Sequence, residues 1–361
     1  MSLSTILIAS SLVVSTYGYT CKNGTETINA PSDMSKSTFF PSSWNGDQPV
    51  PFMDSNQTCF VRVNVPSGYY ANVTFYKNNK NPGGYVYYSN RKIRILLNND
   101  YAPWIFTDPY FNVYDATENE NGPGVSEFAF KIVWTKFPNV NKNFVDVHKG
   151  QTPVALKPNG DLTVLRGDPS SMMSLVAFEV ENPEMGPTIL RQTLIFGGDS
   201  FNSDFIGTLD LVIKSQQVLT TYGNKIAVYT FGLNNQIDYP LFMGVDSQDT
   251  RGYNGYSGFN IPPTGNHEIY LDDFVANSLF VTSHDGSEII KGFESFPPNG
   301  VMNVYQDNVS NTTCIATLTK KDYKKQLPLE VKGTLKYYLL NGGTGLYTMV
   351  LTRDVSRASR V

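Results

Sequence analysis

Charged side chains are scarce in this sequence, and neither sign dominates. They make up 17% of the 361 residues, and the net charge is −4 at pH 7. Without an excess of Lys and Arg, the chain has no basic surface to release counterions from phosphates, so nucleic acid is not an expected partner. Because hydrophobic residues make up 40%, the composition also excludes a disordered chain and a coiled coil.

Signatures of metal and nucleotide chemistry are also missing. The sequence has no zinc-type cysteine or histidine cluster and no glycine-rich phosphate loop. Its three histidines are scattered: His148, His267 and His284. We therefore predict no cofactor. Calcium stays an open alternative without a located site, because Asp199, Asn202 and Asp204 lack the order of an EF-hand loop.

Long helical stripes are replaced by short alternating runs. The 22 Tyr, 22 Phe, 29 Gly and 21 Pro are typical of strands joined by turns. Strands are predicted in the first part at CFVRVNV, YANVTFY, GYVYY, KIRILL, FNVYD and EFAFKIVW. They are predicted in the second part at MSLVAFEV, ILRQTLIFG, FIGTLDLVIK, KIAVYTFG, NSLFVTS, VMNVY, TCIATL, LEVKGTLKYYLL and GLYTMVLT. The fold class is therefore all-β, with two antiparallel, jelly-roll-like β-sandwich domains.

The first residues predict export. Residues 1–18 carry no charged side chain, and the short apolar run from Leu3 to Val14 ends in small residues. This pattern predicts a secretory signal peptide over residues 1–18, against the alternatives of a buried strand or a short anchor. The run is too short to span a bilayer comfortably, and no later segment is long enough, so no transmembrane span is expected. The mature protein is expected to be extracellular.

Five N-x-S/T sequons agree with an extracellular glycoprotein. They are Asn23, Asn56, Asn72, Asn308 and Asn311. In an extended strand, Ala71, Val73 and Phe75 would face inward, so Asn72 and Thr74 would face outward together. The alternative for each sequon is an ordinary polar residue at the surface.

Three cysteines allow one disulfide and leave one thiol. We predict a bond between Cys21 and Cys59, which lie in the same domain. The remaining Cys314 would share a buried strand face with Ala316 and Leu318, and an intermolecular disulfide is the alternative.

The stretch TCFVRVNVPSGYYANVTF, residues 58–75, predicts a β-hairpin. Its first strand would turn Cys59 and the three valines toward the core, and Phe60, Arg62 and Asn64 away from it. Pro66 and Gly68 would then turn the chain.

The same stretch resembles the central signature of CUB domains, which are extracellular jelly-roll sandwiches. The segments FPSSWNG (40–46) and VPSGYYA (65–71), with Cys59 between them, are closer still to the CUB-like family of secreted nematode proteins. The sequence departs from the CUB signature at Val61, where CUB domains usually have an aromatic residue. Asp100, Asp108 and Tyr110 lie where calcium-binding relatives place ligands, but they do not match residue by residue, so no calcium site is transferred.

The resemblance sets the predicted domains. A CUB-like sandwich over residues 19–138 is followed by a linker at 139–153 and a second sandwich at 154–361. GYYANVTFYKNN from Gly68 and GNKIAVYTFGLNN from Gly223 echo one another weakly. Whether the second domain is a divergent CUB-like repeat is left open.

A serine nucleophile is one enzymatic alternative. Gly198-Asp199-Ser200 resembles the nucleophile block of GDSL-type esterases. However, the block lies in mid-chain, and neither downstream histidine has an Asp three residues before it. We favour a turn at this position and a protein that is not an enzyme.

Three aromatic residues in a glycine-rich loop, Tyr253, Tyr256 and Phe259, are the candidate ligand-binding residues. Exposed aromatic rings suit sugars, whereas in the alternative they pack onto the sandwich. The family resemblance implies a secreted protein of innate immunity or stress responses that binds an extracellular glycan or protein. The alternative is a structural glycoprotein of the matrix. The oligomeric state is left open.

Overall fold

The computed structural model describes residues 18–22, 24–79, 83–117, 126–180, 186–233, 237–272, 277–342 and 345–353. The chain divides into two compact units, Met1–Lys136 and Phe137–Val361, and the predicted all-β sandwich class is confirmed. Within the described ranges, no helix has the length and apolar character to cross a membrane. Apart from Gly18, the predicted signal peptide lies outside the described residues.

The first unit is built from two facing sheets. Its strands are β1 (Gly18–Tyr19), β2 (Thr25–Ile28), β3 (Thr38–Phe40), β4 (Phe52–Met53), β5 (Thr58–Asn64), β6 (Tyr69–Asn78), β7 (Tyr85–Tyr88), β8 (Ile93–Ile95), β9 (Trp104–Phe106), β10 (Tyr110–Ala116) and β11 (Ser126–Lys136). One sheet has the order β1-β4-β11-β6-β9, with β3 also on β11, and the other has the order β2-β5-β10-β7-β8. Phe106 of the first sheet stacks on Phe111 of the second at 3.8 Å.

The second unit holds the remaining elements. Its strands are β12 (Lys142–Asp146), β13 (Ala155–Leu156), β14 (Leu162–Arg166), β15 (Met173–Glu179), β16 (Thr193–Phe196), β17 (Phe205–Thr208), β18 (Leu219–Thr220), β19 (Lys225–Thr230), β20 (Phe242–Asp246), β21 (Gly255–Phe259), β22 (His267–Asp272), β23 (Ser278–Ser283), β24 (Glu288–Ser295), β25 (Val301–Gln306), β26 (Cys314–Thr319), β27 (Leu329–Val331), β28 (Leu335–Asn341) and β29 (Leu346–Thr352). The helices are α1 (Gly186–Gln192), α2 (Leu209–Ser215) and α3 (Tyr323–Gln326).

One nine-strand order occurs three times along the chain. Numbered from its own first strand, each set forms a sheet of order 1-3-8-5-6 and a second sheet of order 2-9-4-7. The three sets are β2 with β4–β11, then β12–β20, then β21–β29. In each set the first pair of the longer sheet is parallel. We call them the first, second and third sandwiches, so the structure has two sandwiches where the sequence predicted one.

The second and third sandwiches share a sheet. β15 pairs in parallel with β21 through Phe178–Gly258 and Glu179–Phe259, which joins two sheets into one of nine strands. Each sandwich has its own core. A further apolar cluster, on the side of the shared sheet away from both cores, draws residues from both sandwiches, among them Phe178 and Leu279. The two sandwiches therefore form one compact unit.

The echo between Gly68 and Gly223 does not follow this repeat. It aligns β6 with β19. In the shared strand order, however, the equivalent of β6 is β15, and the equivalent of β19 is β10. Facing strands of any sandwich carry similar alternating apolar residues, so the similarity reflects the strand pattern and not an equivalent position.

Residues 58–75 do not form the predicted hairpin, although their burial pattern is as predicted. Cys59, Val61 and Val63 are buried, as are Ala71, Val73 and Phe75. However, β5 and β6 lie in different sheets, so the turn at Gly68, where φ is 80°, carries the chain across the sandwich. Alternation fixes which side chains point inward, but it does not say which strand is the neighbour.

Three further segments differ from their predictions. Lys142–Asp146, inside the expected linker, is a strand that pairs in parallel with β14. Its side chains are mostly exposed, so it shows no apolar alternation. The ends of two predicted strands are helices: α1 begins at Gly186-Pro187, and α2 is capped by Thr208, whose hydroxyl accepts a hydrogen bond from the Leu211 amide at 3.3 Å.

Cys21 and Cys59 form the predicted disulfide, with their Cα atoms 5.3 Å apart. It joins the segment after β1 to β5, and the Sδ of the buried Met53 lies 3.1 Å from the Cys59 Sγ. The bonded cysteines are 38 positions apart in the sequence, so the bond removes considerable conformational freedom from the unfolded state.

We expect Cys21→Ser/Cys59→Ser to lower the free energy of unfolding of the first unit by about 4 kcal/mol, because the unfolded loop is released. Calorimetry of the full chain would measure the loss. The control is Cys314→Ser, which removes the free thiol. Equal melting of both variants would contradict a stabilising role for the bond.

A substitution at Gly258 tests the packing where β15 of the second sandwich pairs with β21 of the third. A Cβ atom there would lie 2.5 Å from the Phe178 ring. Gly258→Ala should therefore destabilise the second unit by about 1–3 kcal/mol through overpacking. Gly292→Ala in β24, where a Cβ meets nothing within 4 Å, is the matched control. If urea denaturation gives both variants the same stability, close packing at the joint is not important.

Candidate functional site

A cleft of about 690 Å³ opens where the second and third sandwiches meet. The parallel strands β15, β21 and β23 all end at this edge of the shared sheet, and β20 and β28 begin there. The loops at these strand ends therefore line the cleft. We call it the inter-sandwich cleft; its lining includes Val180, Tyr239, Ile261, His284, Asp285 and Arg353.

One wall of the cleft is apolar and stiff. Tyr239 and Pro240 precede β20, and Ile261 to Pro263 follow β21. Asn260 holds the two loops together, because its side-chain amide donates to the Pro240 carbonyl at 2.8 Å and to the Glu179 carbonyl at 3.0 Å. The wall thus offers a tyrosine ring and proline faces on a fixed backbone.

The rim carries charges of both signs. Lys157 and Arg353 contribute cations, and Asp238 and Asp285 contribute anions. The Arg353 guanidinium donates to the Ile261 carbonyl at 3.0 Å, which positions it beside the apolar wall. A ligand with an apolar part and flanking charged or polar groups fits this lining.

Beneath the cleft lies a buried polar network at one end of the third core. Glu288 and Lys336 are fully buried. The Glu288 carboxylate accepts a hydrogen bond from the Thr282 hydroxyl at 2.8 Å and a second from the Tyr338 hydroxyl. The Lys336 ammonium donates to Nδ1 and to the carbonyl of His284, at 2.7 and 2.6 Å.

His284 connects this network to the cleft. Its Nε2 lies 3.0 Å from a Glu288 oxygen, outside hydrogen-bond geometry. Burial, followed by the charges of Lys336 and Arg353, lowers the pKa of His284 to about 3. The ring is therefore neutral at physiological pH. Since Nδ1 accepts from Lys336, the neutral ring carries its proton on Nε2.

Burial shifts the other two ionisable groups in opposite directions. It lowers the pKa of Lys336 to about 8, against the opposing attraction of Glu288. It raises the pKa of Glu288, against hydrogen bonds from Tyr338 and Thr282 and the charge of Lys336. The Lys336 ammonium and one Glu288 oxygen are bonded within the network, whereas the other Glu288 oxygen and the His284 Nε2 have no hydrogen-bond partner. The bonds that form position the floor of the cleft.

The predicted aromatic residues do not form an exposed loop. Gly255–Phe259 is strand β21, and Tyr256 and Phe259 are 5% and 8% exposed. Phe259 packs on Phe280 at 5.7 Å, within the third core. The half-buried Tyr253 lies 5.9 Å from Tyr256. The rings thus pack onto the sandwich, as the alternative reading held.

Tyr253 and Tyr256 do line a smaller pocket of about 360 Å³, together with Tyr337, Asp249 and Asn308. Burial raises the pKa of Tyr253 and Tyr256, so both hydroxyls stay protonated. This pocket, and not an exposed ring face, is where these two residues could meet a ligand.

Four of the five predicted sequons can be located. Asn56, Asn308 and Asn311 are exposed, and Asn72 is half-buried. Asn308 and Asn311 share a turn in which the Thr313 hydroxyl donates to the Asn308 backbone carbonyl at 2.6 Å. Asn23 lies outside the described residues. Glycosylation at each position stays a prediction.

The side-chain contact of Ser200 is with another serine and not with a histidine. Its hydroxyl lies 3.3 Å from the Ser203 hydroxyl, while Asp199 pairs with Lys225 at 2.7 Å and Lys142 at 3.5 Å. The amide of Ser203 donates to the Ser200 carbonyl at 3.1 Å, which is the geometry of a turn.

The other candidate metal ligands have structural contacts. Asp108 accepts a hydrogen bond from the Ser89 amide at 3.2 Å, and Asp100 accepts one from the Ala102 amide at 3.2 Å. Within the described ranges, no three His, Cys, Asp or Glu side chains cluster as metal ligands. Calcium stays an open alternative without a located site.

Cys314 is free but not on the predicted face. A bulge between Val304 and Tyr305 pairs Cys314 with Tyr305. The thiol therefore packs against the apolar cluster on the outer side of the shared sheet. Ala316 and Leu318 face the third core. The bulge adds a residue to one strand and breaks the alternation on which the prediction rested.

The network residues were missed by the sequence reading. Lys336 is the second residue of the strand LKYYLLN, and Glu288 is the first residue of the strand EIIKGFES. Each occupies an inward position where an apolar residue is expected. A charged residue at an inward strand position is the signal that could have found them.

Comparison with known proteins supports a binding function in general terms. Residues 16–138 match the model of the CUB-like domain family, whose domains are extracellular, act in binding and are generally non-enzymatic. No curated protein matches the chain.

Two solved structures are similar to the chain at low identity and low TM-score. The CUB1-EGF-CUB2 domains of rat MASP-1 are 9% identical, with 62% of this chain and 100% of that chain covered and a TM-score of 0.25. The extracellular region of zebrafish Gpr126/Adgrg6 is 10% identical, with 93% and 53% covered and a TM-score of 0.23. The chain thus spans about half of the zebrafish chain, and neither likeness carries a functional argument.

The neutral His284 makes the free energy of unfolding depend on pH. Its folded pKa of about 3 lies below its ordinary value of 6.5, so the unfolded chain binds more protons between these values. Its contribution is therefore complete above pH 6.5 and is lost as pH falls toward 3. His284→Gln, which keeps an acceptor for Lys336, should lose less stability on acidification than the parent protein.

Urea denaturation at about pH 7 and about pH 4.5 measures this difference. The control is His267→Gln, at a partly exposed histidine of the same sandwich. If the His284 variant and the parent protein lose equal stability on acidification, a neutral buried imidazole at this position is wrong.

Proposed function

We propose that the protein is a secreted, non-enzymatic glycoprotein whose inter-sandwich cleft binds an extracellular protein. The observation that carries this proposal is the lining of the cleft: a fixed Tyr–Pro wall beside cations and anions. A peptide segment with an apolar residue between charged ones complements that lining. The disulfide and the CUB-like match of residues 16–138 support an extracellular location.

We further propose that all three sandwiches are CUB-like. The family match covers the first sandwich alone, and the identical strand order of the other two supports extending it. A tandem of three such modules suits a protein that recognises or bridges extracellular molecules. The exposed sequons at Asn56, Asn308 and Asn311 support glycosylation.

A role in innate immunity or stress responses is the biological part of the proposal, and it rests on the family resemblance. The alternative is a structural glycoprotein of the matrix. Fractionation of tissue before and after microbial challenge separates them. A defence protein should rise in the soluble extracellular fraction, whereas a matrix protein should stay at a constant level in the insoluble fraction.

Peptides selected from a displayed random library against the parent protein would test the cleft. We expect Tyr239→Ser and Arg353→Gln each to weaken the selected peptides about tenfold or more, equivalent to about 1.4 kcal/mol. Each substitution removes a contact on the wall or the rim. Isothermal titration calorimetry gives the dissociation constants.

Tyr222→Ser is the matched control, because that ring is 99% exposed and outside the cleft lining. If the cleft variants bind the peptides as tightly as the control, the cleft is not the binding site. An esterase activity abolished by Ser200→Ala would contradict the non-enzymatic part of the proposal.

A further inference from the structure

The outer side of the longer sheet of the first sandwich is rich in aromatic residues. The inward residues of β5, β10 and β7 are buried, among them Val61, Val113 and Val86, so alternate residues point outward. Strand pairing places the outward residues in rows across the sheet. We call this surface the aromatic face; its rows are Thr25-Phe60-Tyr114-Tyr85-Ile95, Thr27-Arg62-Asn112-Tyr87-Ile93 and Asn64-Tyr110.

Three of the rings on this face lie side by side, tilted by 43° and 50° to their neighbours. The centroids of Tyr85 and Tyr114 are 6.1 Å apart, and those of Tyr85 and Tyr87 are 6.4 Å apart. Ile93 and Ile95 on the edge strand β8 are 52% and 53% exposed. A row crosses five strands and therefore spans about 19 Å at the usual strand spacing, which is the length of a short oligosaccharide.

The face is nearly neutral. Among the described outward residues of its five strands, Arg62 is the one charged side chain, and its guanidinium lies 3.8 Å above the Tyr110 ring centroid. Asn112 and the threonines of β2 lie among or beside the rings. A neutral occupant with both apolar and hydroxyl surfaces therefore complements the face better than an acidic or basic one.

The equivalent face of the third sandwich shows what a covered surface looks like. There the outward residues are buried in the apolar cluster on the outer side of the shared sheet, and they are Tyr256, Leu279, Val281, Tyr305, Leu335 and Tyr337. The aromatic face instead has Arg62, Asn64 and Asn112 on the corresponding strands. Arg62 donates to the side-chain oxygen of Asn64 at 3.2 Å, and the Asn64 amide donates to Asn29 at 2.8 Å. Such polar groups beside half-buried rings suit the hydroxyl groups of a ligand better than a wholly apolar partner does.

We propose that the aromatic face binds a neutral, extended oligosaccharide lying along the rows. Pyranose rings would stack their apolar C–H faces on Tyr85, Tyr114 and Tyr87, and their hydroxyl groups would bond to Asn112 and the threonines. This site is separate from the inter-sandwich cleft, so it goes beyond the protein-binding function proposed above.

Calorimetric titration of the full chain with cellohexaose, laminarihexaose and chitohexaose tests the proposal. We expect at least one of these neutral oligosaccharides to bind. Tyr85→Thr/Tyr114→Thr should weaken that binding at least tenfold, and Tyr87→Thr should weaken it by a smaller factor. Threonine preserves strand propensity. Tyr87→Thr keeps the test valid if the double variant does not fold, as monitored by circular dichroism.

Tyr222→Thr and the cleft variant Tyr239→Ser should both keep the affinity of the parent protein for the oligosaccharide. Absence of binding to all three sugars would overturn the proposal, and so would binding that the face variants leave unchanged. Sedimentation that shows a dimer of the parent protein and a monomer of Ile95→Asp would assign the face to a second copy instead. Peptide binding at the cleft would survive any of these results, so failure here is distinct from failure of the proposed function.

Discussion

The second unit depends on two residue pairs, Phe178–Gly258 and Glu179–Phe259, through which β15 meets β21 in parallel. This short joint makes two sheets continuous and brings the ends of three parallel strands to one edge. The cleft exists because loops from both sandwiches must leave the sheet there. Gly258 allows the approach, since a Cβ atom would meet the Phe178 ring, and Asn260 ties the two departing loops by hydrogen bonds to Pro240 and Glu179. The pairing of β15 with β21 therefore determines both the continuous sheet and the position of the cleft.

The network below the cleft has a different role from that of the apolar core. Glu288 and Lys336 are fully buried, and replacing buried charged groups by apolar residues is often neutral or stabilising. Its value therefore lies in fixing an arrangement: Lys336 holds the ring and the carbonyl of His284, and Glu288 accepts a hydrogen bond from Thr282 of the other sheet. Because every partner has a defined position, the loop after β23 presents Asp285 and His284 to the cleft without the freedom of an unsupported loop.

The sequence predicted the burial of side chains well and their neighbours poorly. Alternation correctly placed Cys59, Val61 and Val63 inside, and oxidising chemistry correctly paired Cys21 with Cys59. Alternation could not reveal that β5 and β6 belong to different sheets. A hairpin and a crossing between sheets bury the same side chains. Tyr256 was expected in a loop, since glycines around it are typical of turns; in the structure those glycines permit close packing, as at Gly258. Contacts between distant segments, including the whole cleft, have no local signature.

One strand order serves three environments, which explains why the sequence shows so little trace of the repeat. The topology requires only alternating apolar residues on the inward faces, and many sequences satisfy that requirement. The outward faces are free to differ. In the third sandwich the outward face of the longer sheet is buried in an apolar cluster that also includes residues of the second sandwich, whereas in the first it holds half-buried tyrosines among Arg, Asn and Thr. Divergence between equivalent faces, and not between cores, is thus where separate binding properties of the three sandwiches would arise.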